Sequence, residues 1–192
     1  MPRRYELKAR AVAFEATRQR IVDATLALHE EVGPARTAIT EVSRRAGVGR
    51  VTVYNHFPDE AALLSATSAQ WLAEHPPPDP EEWAAVFKPT RRIREALDEL
   101  YPYYRANATM LGHLTRDVEV VPALAETFGK AFGEHEQAMR DALVEGRTRR
   151  GRRTVAAIGL AISFATWQRL TRDEGLGDGG AAKLMVRAIE AH

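Results

Sequence analysis

The 192-residue sequence contains no cysteine. That absence excludes a disulfide scaffold, a zinc site built on thiolates and a cysteine nucleophile. Long apolar runs are missing as well, and none approaches the roughly 18 residues that a membrane-spanning helix requires. The opening stretch MPRRYELKARAVAF is basic but carries no apolar core of the kind that directs secretion, so a cytoplasmic protein is expected. Enzyme signatures are equally scarce. There is no GxSxG elbow and no Gly-rich phosphate loop ahead of a helix, and no two histidines stand three or four residues apart. No catalytic residue, cofactor or metal is expected.

What is present is ordinary for a globular chain: 45% hydrophobic and 28% charged residues, with a net charge of +1. The charge is unevenly spread. Residues 1–57 hold ten Lys/Arg against six Asp/Glu, and residues 58–192 hold seventeen against twenty. A basic head on an acidic body suits contact with nucleic acid through the head.

Sustained period-two alternation is absent, and Ala, Leu, Glu and Arg dominate, so the chain reads as all-α with about nine helices. A first helix is predicted from about Thr17 to Val32, stopped by Gly33-Pro34. Short helices over Ile39–Ala46 and Arg50–His56 flank Gly47, which permits a tight turn. Asp59 is placed to cap a fourth helix reaching about Glu74. His75-Pro76-Pro77-Pro78-Asp79-Pro80 is the strongest break in the chain. Beyond it, helices are predicted over Glu81–Phe87, from Thr90 to about Asn107 with Pro102 inside, and over Ala108–Arg116. Further helices are predicted from Pro122 to about Glu145, over Arg152–Glu174 and over Asp178–Ala191. The GRTRRGRR stretch, with Arg147, Arg149, Arg150, Arg152 and Arg153, reads as a solvated loop.

Two short helices joined by a Gly-containing turn and packed on a longer one make a helix-turn-helix. The major groove of duplex DNA admits one helix, whose reading face must be small, polar or basic and whose opposite face must stay docked. The run Gly49 to His56 fits. Val53 and Phe57 are assigned to the core, leaving Arg50, Val51, Thr52, Tyr54, Asn55 and His56 for the groove and phosphates.

The stretch Ile21 to Leu63 resembles the DNA-binding domain of the TetR family of transcriptional regulators. The residues that carry the resemblance are Ile21 to Leu28, Gly33, Ile39-Thr40-Glu41-Val42-Ser43, Ala46-Gly47-Val48, Thr52-Val53-Tyr54-Asn55-His56-Phe57 and Leu63. The resemblance implies a three-helix DNA-binding head over residues 16–60, preceded by a basic arm over 1–15. It implies a helical ligand-binding and dimerisation domain over 61–192. By the same resemblance Tyr54 matches a phosphate-contacting tyrosine, and Thr40 at the start of the second helix is a further candidate donor to phosphate. Gly49 stands where the family usually has a capping serine, Val51 where glycine is common, and Glu60 where a phosphate-contacting lysine is usual. His29 replaces a core phenylalanine. The basic residues Arg3, Arg4, Lys8 and Arg10 are placed to compensate for the missing lysine.

In this family the core of the second domain is hollow. The aromatics Tyr101, Tyr103, Tyr104, Phe128, Phe132, Phe164 and Trp167 are therefore divided between packing and pocket wall. Tyr104, Met110, His113, Leu114, Phe128, Phe164 and Trp167 are the candidate ligand contacts, with His113 as polar anchor. The resemblance further implies a homodimer through the two C-terminal helices, with Val155, Ile158 and Ile162 on one face and Leu184, Met185 and Ala188 on the other. The expected function is a repressor of transcription, released from a palindromic operator by a small hydrophobic or aromatic effector. The alternative is an all-α interaction module or small helical enzyme in which the helix-turn-helix is incidental.

Overall fold

The computed structural model describes residues 2–146 and 151–191, with the side chains of residues 2–7 left aside. Arg3, Arg4, Arg147, Arg149 and Arg150 therefore lie outside what is described, whereas Arg152 and Arg153 are exposed in the first turn of a helix. Among the described residues there are helices and turns and no strand. None of these helices is long and apolar enough to cross a membrane, and among the described residues no group of three His, Asp or Glu is arranged to hold a metal ion.

Chain contacts divide the molecule into two compact units, residues 1–75 with 112–130, and residues 76–111 with 131–192. The first unit opens with α1 (Pro2–Val32), which starts fifteen residues earlier than its apolar periodicity indicates. Pro2 occupies the first turn, where its missing N–H costs nothing, and no glycine or further proline interrupts the Ala-, Glu- and Arg-rich stretch that follows. The basic arm is thus helical. A 3-10 turn (Pro34–Arg36) leads into α2 (Ile39–Ala46), and Gly47, at φ 65° and ψ 37°, closes that helix in the left-handed conformation. Next come α3 (Arg50–His56) and α4 (Glu60–Glu74), the latter capped by Asp59, which accepts from the Ala62 N–H at 2.8 Å. Ile21, Val22, Leu28, Val42, Val53, Phe57 and Leu63 form one buried cluster beneath these helices. Full burial of each large aliphatic stabilises by roughly 1.5–3 kcal/mol.

The end of α1 is clamped by residues more than eighty positions downstream. Arg116 donates to the Val32 carbonyl at 3.0 Å, and Asp117 accepts from the Ala35 N–H at 3.0 Å. Gly33 lies between them at φ 88°, and a Cβ there would stand 2.5 Å from the Asp117 carboxylate. Both side chains come from α7 (Ala108–Asp117).

The second unit contains α5 (Pro80–Ala84) and α6 (Pro89–Ala106), the latter with Pro102 inside. The segment 122–144 is helical throughout: α8 (Pro122–Leu124) passes through a π-helical turn (Ala125–Gly129) into α9 (Lys130–Val144). The expected helix over Arg152–Glu174 is broken. α10 (Arg152–Ile162) stops at Ser163, whose backbone is extended, and α11 (Phe164–Gln168) restarts and ends in a second π-helical turn (Arg169–Asp173). α12 (Asp178–Glu190) completes the chain. These breaks raise the number of separate helices above the nine expected. The break at Ser163 strands two carbonyls, and two tyrosines of α6 satisfy them: Tyr101 donates to Ala161 O at 2.8 Å and Tyr104 to Ile162 O at 2.6 Å. Arg92 plays a similar part elsewhere. Only 5% exposed, it donates to the carbonyls of Ala84, Val86, Ala142 and Glu145, so one guanidinium satisfies the ends of α5 and α9.

Candidate functional site

Helix α3 owes its orientation to two residues. Val53, 1% exposed, and Phe57, 3% exposed, are fixed in the cluster beneath, so the opposite face must point outward. Arg50, Val51, Tyr54 and Asn55 are exposed there, while Thr52 and His56 are half-buried. Gly49 ends the turn before α3 without a side-chain cap, as its lack of a side chain requires. Thr40 lies exposed in the first turn of α2, where the capping position belongs to Ala38 rather than to Thr40.

The charges of this head are sorted by their partners. Arg44 and Arg45 are bound to Glu41, and Arg45 also reaches Glu31 of α1. The hydrogen bonds from Arg44 and Arg45 pull the Glu41 carboxyl down to about 2, so it stays ionised and keeps both arginines engaged. Arg18 lies over the Phe57 ring, 4.9 Å from its centre. Arg50 and Arg36 remain exposed. His56 is less open than its sequence position suggests: its ring lies 3.9 Å from that of Phe14, and its Nδ1 is buried without a hydrogen-bond partner. Phe14 escaped notice in the sequence because residues 1–15 read as an arm and not as a helix reaching past the reading head.

The candidate ligand contacts fall into separate groups. Tyr104, Phe164 and Trp167 form one buried aromatic cluster in the second unit, with ring centres 5.3 to 5.9 Å apart. Met110 is buried in the same unit. The polar ends of the cluster are occupied: the Trp167 indole N–H donates to Asp178 at 2.9 Å, and Arg105 holds the same carboxylate at 2.7 and 2.8 Å. The hydrogen bond from Arg105 holds the Asp178 carboxyl below its usual range. His113, Leu114 and Phe128 belong to the first unit. There His113 donates through Nδ1 to the His29 carbonyl at 2.9 Å, fastening the last turn of α1.

The two C-terminal helices require one correction. Ile158 and Ile162 are fully buried within the chain and Met185 is also buried, so these three are unavailable to a partner; α10 packs against α6 and α12. The apolar residues left open are Leu160, 59% exposed, and Leu184, 46% exposed.

Comparison with known proteins agrees with this geometry. Residues 21–67 match the profile of bacterial regulatory proteins of the tetR family. This segment is a tetR-family domain. The repressor KstR of Mycolicibacterium smegmatis is 32% identical over 115 residues, covering 60% of this chain and 50% of that protein. The regulator BetI of Serratia proteamaculans is 41% identical over 58 residues, 30% of this chain and 29% of that protein. The chain thus matches half or less of the length of these relatives. Solved tetR-type structures share the fold across nearly the whole chain. NalD of Pseudomonas aeruginosa, the secondary repressor of a multidrug efflux pump, has a TM-score of 0.61 at 21% identity, covering 93% of this chain and 96% of that one. PfmR of Thermus thermophilus has a TM-score of 0.58 at 19% identity, covering 89% and 95%.

Proposed function

We propose that this chain is a sequence-specific DNA-binding regulator of transcription that acts in the cytoplasm as a homodimer. A small hydrophobic or aromatic effector releases it from a palindromic site. The observation that carries the reading is the two-faced character of α3, which buries Val53 and Phe57 and holds Arg50, Val51, Tyr54 and Asn55 outward. A helix of that kind, preceded by a glycine turn, is built to lie in a major groove. One such head buries too little surface for specificity, so two heads set roughly 34 Å apart by a dimer are needed. The exposed Leu160 and Leu184 supply an apolar face on α10 and α12 for that purpose.

Arg50 is assigned a base contact, Tyr54 and Thr40 phosphate contacts, and Val51 an apolar contact with a thymine methyl. The aromatic cluster of Tyr104, Phe164 and Trp167, with Met110, is assigned to the effector. No catalytic role is proposed. An electrophoretic mobility shift with the DNA flanking the protein's own gene tests the reading, with sedimentation reporting the mass of the free protein. A shift that survives excess random DNA, from a dimer, is the expected result. A monomer at micromolar concentration, or a shift erased by random DNA, overturns it.

A further inference from the structure

The first unit contains a cleft of about 340 Å³ that shares only Tyr54 with the residues assigned to DNA. It opens between α1, α3 and the corner that leads into α4, and its apolar walls include Val53, Phe57 and Leu63. The inner end carries His29, which is only 5% exposed. Burial pulls this imidazole down to about 4, against the pull of Asp117, so at neutral pH it is uncharged and keeps an acceptor nitrogen. The exposed end carries Asp59 and Glu60. Asp59 commits one oxygen to the Ala62 N–H and keeps the other, and Glu60 has no ion-pair partner among the described residues. No lysine or arginine lines the cleft.

Each part of this cleft selects something. Apolar walls at this volume suit a single aromatic ring. Two carboxylates with no balancing cation favour an ammonium and oppose an anion. An uncharged imidazole that lines the cleft offers an acceptor nitrogen and favours a ligand that brings a hydrogen-bond donor to it. We infer that this cleft is a binding site for a small phenolic amine, with its hydroxyl on His29, its ring between Val53, Phe57 and Leu63, and its ammonium at Asp59 and Glu60. The inference goes beyond the DNA-binding reading and does not rest on it.

The test is titration calorimetry of the full-length protein at pH 7.5 with three probes. Tyramine carries both the hydroxyl and the ammonium, phenethylamine lacks the hydroxyl, and 4-hydroxyphenylethanol lacks the charge. Tyramine is expected to bind one per chain, about tenfold tighter than either analogue. His29→Phe fills the inner end and removes the acceptor, so tyramine should weaken about tenfold and lose its advantage over phenethylamine. Glu60→Lys, at an exposed position, should weaken tyramine about tenfold or more and leave 4-hydroxyphenylethanol unchanged. No saturable heat with tyramine overturns the inference. So does tyramine affinity that Glu60→Lys leaves unchanged, a result that stands even if His29→Phe fails to fold. Equal affinity for all three probes overturns it too.

Discussion

Tyr104 donates its hydroxyl to the backbone oxygen of Ile162 at 2.6 Å, across 58 residues of sequence. That carbonyl is free because Ser163 is extended and interrupts the helix between α10 and α11. Burial raises the Tyr104 hydroxyl well above the ordinary phenol range, so it stays protonated and donating throughout the working pH range. Tyr104→Phe keeps the ring and its packing on Phe164 but leaves the Ile162 oxygen buried without a donor. A loss of about 1–3 kcal/mol is expected, and the urea midpoint should fall at constant slope. An unchanged midpoint would mean that the broken helix end is satisfied in some other way.

Gly33 and Gly47 both have positive φ, but only Gly33 is hemmed in. At Gly47 a Cβ meets nothing within 4 Å, so Gly47→Ala costs only the left-handed backbone strain of about 1–2 kcal/mol. At Gly33 the Cβ meets both Arg116 and Asp117, the two side chains that clamp the end of α1. Gly33→Ala should therefore be the more damaging by at least about 1 kcal/mol in equilibrium unfolding. Equal costs would show that the clamp moves aside freely.

The head was legible in the sequence because its signals are local. Gly47 and Pro58 punctuate α2 and α3, Asp59 announces the cap of α4, and the apolar spacing of Val53 and Phe57 fixes which face of α3 is buried. The body was less legible because its decisive contacts are distant. Nothing near Ser163 marks a helix break; the reason for tolerating one lies in Tyr101 and Tyr104, about sixty residues away. Nothing in the sequence marks Arg92, yet it holds together the ends of two helices. The extension of α1 was hidden by its charge, since a basic stretch is taken for an arm even when its residues are good helix formers.

His29 makes stability depend on acid in a defined window. Its imidazole is pulled from 6.5 to about 4 by burial, so in mild acid the unfolded chain takes up a proton that the folded chain refuses. The folded state is at full strength above about pH 6.5, weakens as pH falls from there to about 4, and loses nothing further from this group below that. The whole effect is on the order of 3 kcal/mol. His29→Phe removes the titrating group. The stability of the variant relative to the parent should therefore rise between pH 7 and pH 5 in urea titrations, and parallel curves would show that His29 is not the group responsible.

Arg50 and Tyr54 are both exposed on α3, but they are expected to fail differently. Arg50 stands in the first turn, the part of a reading helix that approaches base edges, and its planar fork matches the two acceptors of guanine. Removing it as Arg50→Ala should cost about 1–3 kcal/mol on the specific site and much less on random duplex, so the specificity ratio falls. Tyr54→Phe deletes only a hydroxyl assigned to phosphate. Phosphates carry no sequence, so specific and random binding should weaken together and the ratio should stay constant. Competition of each variant between the two duplexes at fixed salt measures both quantities. If Arg50→Ala lowered specific and random affinity by the same factor, Arg50 would be a phosphate contact, and base reading would fall to Val51 and Asn55.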